Sequence, residues 1–333
     1  MASAPNCSDT DRTAREFSAL REHEVVDYRG TTESMLPISE ASVVQLQPGP
    51  APTNLEVFSS DKISVLGLRH HTASVGVVVM KADCFGFMWW DGTEECRING
   101  QVARRTQIYT QGKQDGFHAA GGARRTMGIV VRRNELIETL AALRGVGPED
   151  VLLDRAALEL SPEAAIRFRY GINGILRKTS GPKPGRSADV GATDPSEAIF
   201  GLLIDAYLRS PLVRHGVDRP RRPELIVRRA EERFFASQAV SVSLADLCAA
   251  TSVSQSTLYR AFDAVCGEPP LAYFHKRRLT EARRLLTNSP AYRGAVKHAA
   301  LAAGFTEFGR FSVDYRQLFG ESPSATLNRN VFP

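Results

Sequence analysis

Leu244-Ala-Asp-Leu-Cys-Ala-Ala-Thr-Ser-Val253 runs into Ser254-Gln-Ser-Thr-Leu-Tyr-Arg-Ala-Phe262 and closes on Gly267-Glu268-Pro269-Pro270. The same texture returns as Val296-Lys-His-Ala-Ala-Leu-Ala-Ala-Gly-Phe305, Thr306-Glu-Phe-Gly-Arg-Phe-Ser-Val-Asp-Tyr315 and Gly320-Glu321-Ser322-Pro323. Val253 pairs with Phe305 at an offset of 52, and Phe262 pairs with Tyr315 at 53, so one residue has been gained at the turn. Short helix, tight turn, short helix, repeated once, predicts two helix-turn-helix units in one polypeptide. Such units can enter two successive major grooves without a dimer.

Within the first unit, Ser243 and Asp246 fit a cap with an acid three residues on, and Ser254 fits the cap of the second helix. Leu258, Ala261 and Phe262 fall on one side of that helix. Gln255, Ser256, Tyr259 and Arg260 are left facing out. Arginine can pair bidentately with the edge of guanine. In the second unit, Phe305, Phe311, Tyr315, Leu318 and Phe319 read as core. Phe308, Gly309, Arg310, Ser312 and Val313 then face out, with Arg310 as the one strong base-edge donor. Pro270 to Leu286 reads as a single linking helix. Leu271, Tyr273, Phe274, Leu279, Ala282, Leu285 and Leu286 are expected inward. Lys276, Arg277, Arg278, Arg283 and Arg284 are expected outward, some toward phosphate and some paired with acids such as Glu281.

Charge is distributed to match. Residues 221–333 hold 16 Lys and Arg against 10 Asp and Glu, a net of +6, while the rest of the 333-residue chain is at −1. A basic module on a neutral companion is the footprint of a polyanion-binding domain. The five cysteines, Cys7, Cys84, Cys96, Cys248 and Cys266, form no CxxC pair, which argues against a disulfide framework or structural zinc. The opening MASAPNCSDTDRTAREF carries acids and no apolar run, and no stretch of roughly 18 apolar residues occurs. The expectation is a cytoplasmic protein with no membrane partner.

The remaining sequence reads as a second body. Residues 1–60 read as a polar lead-in with a helix near Ala14–Glu24. Ile63–Leu68, Gly76–Met80, Phe85–Trp90, Val102–Thr110 and Thr126–Val131 are short runs rich in Val, Ile, Thr and aromatics. They are broken at Asp91-Gly92 and Asn99-Gly100, which predicts an antiparallel sheet or small barrel. Helices are expected at Asn134–Leu143, 161–178 and Pro195–Arg209, with a flexible loop at Thr179–Asp194. Pro211–Pro223 reads as an interdomain linker. The fold class is therefore α+β: a β-rich domain over 1–210, a linker over 211–223 and an all-α domain over 224–333.

The C-terminal motifs Pro270-xx-Tyr273, Arg278-Leu279-xx-Ala282-xx-Leu285-Leu286, Ala303-Gly304-Phe305, Phe311, Phe319-Gly320 and Ser322-Pro323 resemble the signature of the AraC/XylS transcriptional regulators. The resemblance covers about 100 residues, from roughly Arg228 to Leu327. It implies a seven-helix DNA-binding domain, direct-repeat sites in double-stranded DNA, and activation through contact with RNA polymerase. The base-reading positions it carries over are Gln255, Ser256, Tyr259 and Arg260, then Phe308, Gly309, Arg310, Ser312 and Val313. A Ser-Arg pair common in the second reading helix is Ser312-Val313 here. The β-rich half resembles, by position, the ligand-binding and dimerisation half of longer family members. That implies a jelly-roll-like or cupin-like sheet with a small-molecule effector pocket, and a homodimer face on the helices at 161–178 and 195–209.

Alternation along Phe85–Trp90 sends Phe85, Phe87 and Trp89 to one side, either as a pocket wall or as plain core. No catalytic constellation, metal site or cofactor motif stands out. His70 and His71 are adjacent and so face opposite sides of a strand, and His118 stands alone. Two other readings stay open: a ligand-independent regulator whose N-terminal half only dimerises, and an enzyme carrying a DNA-tethering tail.

Overall fold

Cys84-Phe-Gly-Phe-Met-Trp-Trp-Asp91 is apolar at both odd and even positions, so as a strand it needs cover on both faces. A computed structural model supplies that cover. It describes residues 23–24, 37–49, 54–92, 94–112, 116–179, 194–211, 222–237 and 242–329. The strands are β1 His23–Glu24, β2 Ile38–Gln45, β3 Asn54–Ser59, β4 Ile63–His70, β5 Ser74–Met80 and β6 Cys84–Asp91. They continue as β7 Cys96–Ile98, β8 Gln101–Val102, β9 Gln107–Thr110, β10 Gly116–Gly121, β11 Arg124–Arg132 and β12 Ala157–Glu159. The helices are α1 Arg133–Arg144, α2 Pro162–Thr179, α3 Pro195–Arg209, α4 Arg222–Ala236 and α5 Leu244–Thr251. After these come α6 Gln255–Cys266, α7 Pro270–Asn288, α8 Ala295–Ala302, α9 Phe308–Phe319 and α10 Pro323–Arg329.

Among the described residues the strands form two antiparallel sheets, ordered β1-β3-β4-β11-β6-β9-β12 and β2-β5-β10-β7-β8. Leu66, Leu68, Met88, Trp90 and Val130 from the first meet Val78, Met80, Phe117 and Ala119 from the second in one core, a jelly-roll-like sandwich. The sheets approach closely at Gly86, where an added Cβ would lie 2.8 Å from the Phe117 ring. The Asn99-Gly100 break is a two-residue hairpin turn. Both residues take positive φ, 49° and 70°, and Ile98 pairs with Gln101. That is the type I′ geometry such a pair favours.

The other face of the larger sheet is covered by helices. Phe85, Phe87 and Trp89 point there, into a core shared with Leu136, Leu140, Phe168, Ile172, Leu203 and Tyr207. Trp89 meets Phe168 edge-on at 5.1 Å between centroids, and Phe87 meets Tyr207 at 6.5 Å. All three are fully buried, so the pocket wall expected at them is packed core. Burying side chains of this size stabilises by about 1.5–3 kcal/mol each.

The sheet differs from the sequence reading in three ways. Residues 1–60 are not merely a lead-in, because β2 and β3 are integral strands. Ser39, Glu40 and Ser42 break the β-branched texture of β2 and hide it. The run Val102–Thr110 is two strands, β8 and β9, separated by Ala103–Thr106. Of the helix expected at Ala14–Glu24, residues 14–22 lie outside the described residues, and His23–Glu24 pair with β3 as a strand. Residues 212–221 of the linker and 180–193 of the flexible loop lie outside them too.

The outer face of the smaller sheet carries Val44, Leu46, Val75 and Ala120 into a core with Val227, Phe234, Leu258, Phe262 and Tyr273 of the C-terminal helices. Polar groups fasten this seam. Lys276 Nζ donates to Leu46 O at 2.6 Å and meets Glu268 Oε1 at 2.6 Å. Gly49 N donates to Leu318 O at 3.0 Å.

Candidate nucleic-acid interface

The two units fold as the repeat requires. Ser243 caps α5 through a capping box with Asp246, and the left-handed Ser252 closes it. Gly304 holds the matching turn position in the second unit, with φ at +83°. A serine there carries a modest steric cost that glycine avoids. Ser254 Oγ accepts from Thr257 N at 3.3 Å and caps α6. Leu258, Ala261, Phe262, Val265 and Cys266 bury one side of that helix. In α9 the buried side is Phe311, Tyr315, Leu318 and Phe319.

The linking helix α7 belongs to both cores. Tyr273 and Phe274 join the first unit, whereas Leu279, Ala282 and Leu286 join the second. At 19 residues it is about 28 Å long, close to the ~34 Å of one turn of DNA. Each half is anchored by a charged pair. Arg277 Nη1 lies 3.4 Å from Glu231 on α4, and the Tyr273 hydroxyl donates to the same carboxylate at 2.6 Å. Burial, reinforced by the Glu231 charge, pushes the Tyr273 phenol well above its ordinary range. At the far end Arg283 meets Glu321 at 3.2 Å and lies over the Phe319 ring.

Arg277 and Arg283 are therefore not outward. They are buried, at 5% and 8% exposure, because acids outside α7 pair with them. Arg278 lies over the Phe234 ring at 5.5 Å, and Arg284 pairs with Glu281. Leu271, expected inward, is 48% exposed.

The outward positions of the first unit are open. Gln255, Ser256, Tyr259 and Arg260 are exposed on α6, and Arg260 Nε donates to the Ser256 carbonyl at 3.4 Å. The second unit presents a mixed face. Gly309, Arg310, Ser312 and Val313 are exposed, but Phe308 is half-buried against the second core, with Lys297 over its ring at 5.6 Å. Arg310 Nε lies 3.8 Å from Asp314, which also meets His275 at 3.1 Å. The Ser312 hydroxyl turns back to Phe308 O at 2.9 Å. Exposed Arg293, Lys297 and Arg316 add positive charge around the second unit.

Among the described residues no group of three His, Cys, Asp or Glu could hold a metal ion, and no helix is long and apolar enough to cross a membrane. Burial raises the thiols of Cys84 and Cys96 to about 11 each, with Asp83 adding to the shift at Cys84. Sequence reasoning missed a cavity of about 520 Å³ between α2 and the stretch joining β8 to β9, lined by Arg105, Arg169 and Arg177. The signal was present as Ile166, Tyr170, Gly174 and Arg177 at helical spacing.

A model described as a helix-turn-helix domain matches residues 247–329. The XylDLEGF operon transcriptional activator 2 of Pseudomonas putida is 36% identical over 88 residues, 26% of this chain and 56% of that protein. The probable thc operon regulatory protein of Rhodococcus erythropolis is 26% identical over 207 residues, 62% of each chain. A solved structure of a probable AraC family transcriptional regulator from Rhodopseudomonas palustris is 36% identical over 32% of this chain and 96% of its own, with a TM-score of 0.28. The chain spans only about half the length of the first of these curated relatives. The matches converge on the helices that the tandem repeat had marked, and through that C-terminal domain the chain belongs to the AraC/XylS family of transcriptional regulators.

Proposed function

We propose that this chain is a sequence-specific regulator of transcription that binds double-stranded DNA at direct-repeat sites. The observation that carries the reading is the pair of exposed helix faces, on α6 and α9, held at a fixed spacing by one α7 that is packed into both cores. In this reading Gln255, Ser256, Tyr259 and Arg260 read bases in one major groove. Phe308, Gly309, Arg310, Ser312 and Val313 face the next, where Arg310 supplies the polar contact and Val313 an apolar one to a thymine methyl. Arg293, Lys297 and Arg316 serve the phosphates.

The proposal extends to the whole chain. Residues 224–333 bind DNA, 211–223 link, and 1–210 sense a small-molecule effector and form a homodimer. The regulator acts in the cytoplasm as an activator through RNA polymerase; the matched Pseudomonas putida relatives are named operon transcriptional activators, which supports the activator role. The packing of Phe85, Phe87 and Trp89 favours a second reading at that position, in which the N-terminal half only dimerises. Melting the full chain with candidate metabolites separates the two, since a ligand of the folded state raises Tm.

The experiment is selection of binding sites from a random duplex library by the full chain, followed by titration at two salt concentrations. A bipartite repeated site whose affinity falls steeply with salt supports the reading, because each neutralised phosphate releases counterions. Recovery of no site, or an affinity indifferent to salt, refutes it.

A further inference from the structure

The cavity beside α2 has the chemistry of an anion site. Three guanidinium groups, from Arg105, Arg169 and Arg177, line it together with one carboxylate, Asp91. Asp91 is already committed: Arg169 Nη1 donates to its Oδ1 at 2.5 Å and to Trp90 O at 3.1 Å. The other Arg169 nitrogen donates to Arg105 O at 2.6 Å. Arg169 thus ties the end of β6 to the stretch before β9. Arg105 and Arg177 remain, and neither meets a carboxylate among the described residues. Arg105 lies 5.9 Å over the Trp90 ring and donates to Gly92 O at 2.5 Å, with its guanidinium on the pocket lining.

The rest of the lining is mainly apolar, with Thr106 and Asn173 as its polar members. Ile166 and Tyr170 stand on the same face of α2, 56% and 77% exposed. One turn on is Gly174, where an added Cβ would meet nothing within 4 Å. Packing does not require that glycine, and in mid-helix it costs about 1 kcal/mol relative to alanine. What its missing side chain leaves is room. The neighbouring Gly171 is different, because a Cβ there would lie 2.7 Å from Leu202 on α3.

We propose that this pocket binds a small organic carboxylate, its acid group on Arg105 and Arg177 and its apolar body along Ile166, Tyr170 and the space above Gly174. The identification of this ligand as the regulator's effector rests on the sensing role proposed above. Two guanidinium groups that meet no carboxylate among the described residues, beside exposed apolar side chains, favour an acid with an apolar tail over an inorganic anion or a neutral apolar molecule.

The test uses the full chain, with octanoate and 3-phenylpropionate as probes and octanamide, 3-phenylpropionamide and inorganic phosphate as controls. Of the chain's two tryptophans, Trp90 lies against the lining residues Arg105 and Arg169 and reports by fluorescence. At millimolar concentration both acids should give a saturable signal and a higher Tm, with the amides weaker by about tenfold or more. Arg105→Gln and Arg177→Gln should each weaken the acids about tenfold. Gly174→Phe should abolish binding while leaving Tm unchanged or higher and DNA affinity without acid unchanged. Amides or phosphate binding as well as the acids, no saturable binding by either acid, or Gly174→Phe shifting the oligomeric state instead would each overturn the proposal. Saturable acid binding that leaves DNA affinity unchanged supports the pocket and refutes only the sensing role.

Discussion

Gln45, at the end of β2, places its side-chain nitrogen 2.8 Å from the carbonyl oxygen of Leu318, near the end of the second reading helix. The same nitrogen lies 2.8 Å from Gln47 O and 2.7 Å from Gly49 O. Three carbonyl oxygens converge on one group, so only a donor is tolerated there and the amide orientation is fixed.

Replacing that donor should therefore cost more than its size suggests. Gln45→Leu takes away the side-chain donor shared by Gln47 O, Gly49 O and the buried Leu318 O, and a loss of about 1–3 kcal/mol in urea unfolding is expected. Gln45→Glu should be worse at neutral pH, because a carboxylate would face three oxygens, and should recover partly once acid protonates it. Equal stability of the two variants at neutral pH would contradict this geometry.

The two reading faces should respond differently to substitution. Arg260→Ala is expected to cost about 1–3 kcal/mol on the selected site and to relax preference at one base pair. Val313, 65% exposed, offers a gain instead. Val313→Arg should tighten binding to all duplexes and steepen the salt slope by about one unit. Titrations on the selected and a scrambled duplex decide both, and an Arg260→Ala variant that still discriminates fully would place the base-reading face elsewhere.

Arg277 should act on stability and not on DNA. Its pairing with Glu231, both nearly fully buried, means that Glu231→Gln removes the negative charge facing a buried guanidinium, at an expected cost of about 3–5 kcal/mol. Urea unfolding should register that loss. The salt slope of DNA binding at low temperature should not move with Arg277→Met, as it would for a phosphate contact.

His70 predicts a pH dependence. Its Nδ1 lies 2.9 Å from the Ser74 hydroxyl in a buried site. Burial first, then the charges of Arg124 and His71, hold its pKa well below 6.5. The unfolded chain takes up a proton near pH 6.5 while the folded chain refuses it. The stability from this group is thus complete above pH 6.5 and is lost as pH falls toward the folded value, at up to about 1.4 kcal/mol per pH unit. Urea midpoints at pH 7.5 and 5.5 should separate more for the parent chain than for His70→Gln; equal separation would remove His70 as the cause.

What the sequence disclosed follows the range of the interactions. Caps, turns and helix faces are set within a few residues, so the Ser243–Asp246 box, the Asn99-Gly100 hairpin and the inward side of α6 could be read directly. Arg277 and Arg283 could not, because the acids that draw them inward lie elsewhere in the chain, Glu231 on α4 and Glu321 between α9 and α10. Phe85, Phe87 and Trp89 were placed on one side correctly, but Phe168 and Tyr207, from helices far along the chain, decide that the side is core. β2 escaped notice because Ser39, Glu40 and Ser42 interrupt its apolar positions, of which Ile38 and Ala41 enter the sandwich core and Val44 meets the C-terminal helices.

That resting place limits how such a chain can be recombined. Val44, Leu46, Val75 and Ala120 give the reading heads an apolar seat, and Gln45 and Lys276 clasp it. A foreign amino-terminal half spliced onto α4–α10 inherits the task of covering the same side of α6 and α7. Without a matching patch of small apolar side chains, the hybrid would keep its fingers for DNA and lose its solubility. In this chain the smaller sheet doubles as the lid of the neighbouring core, so exchange of halves in evolution or at the bench requires two surfaces to change together.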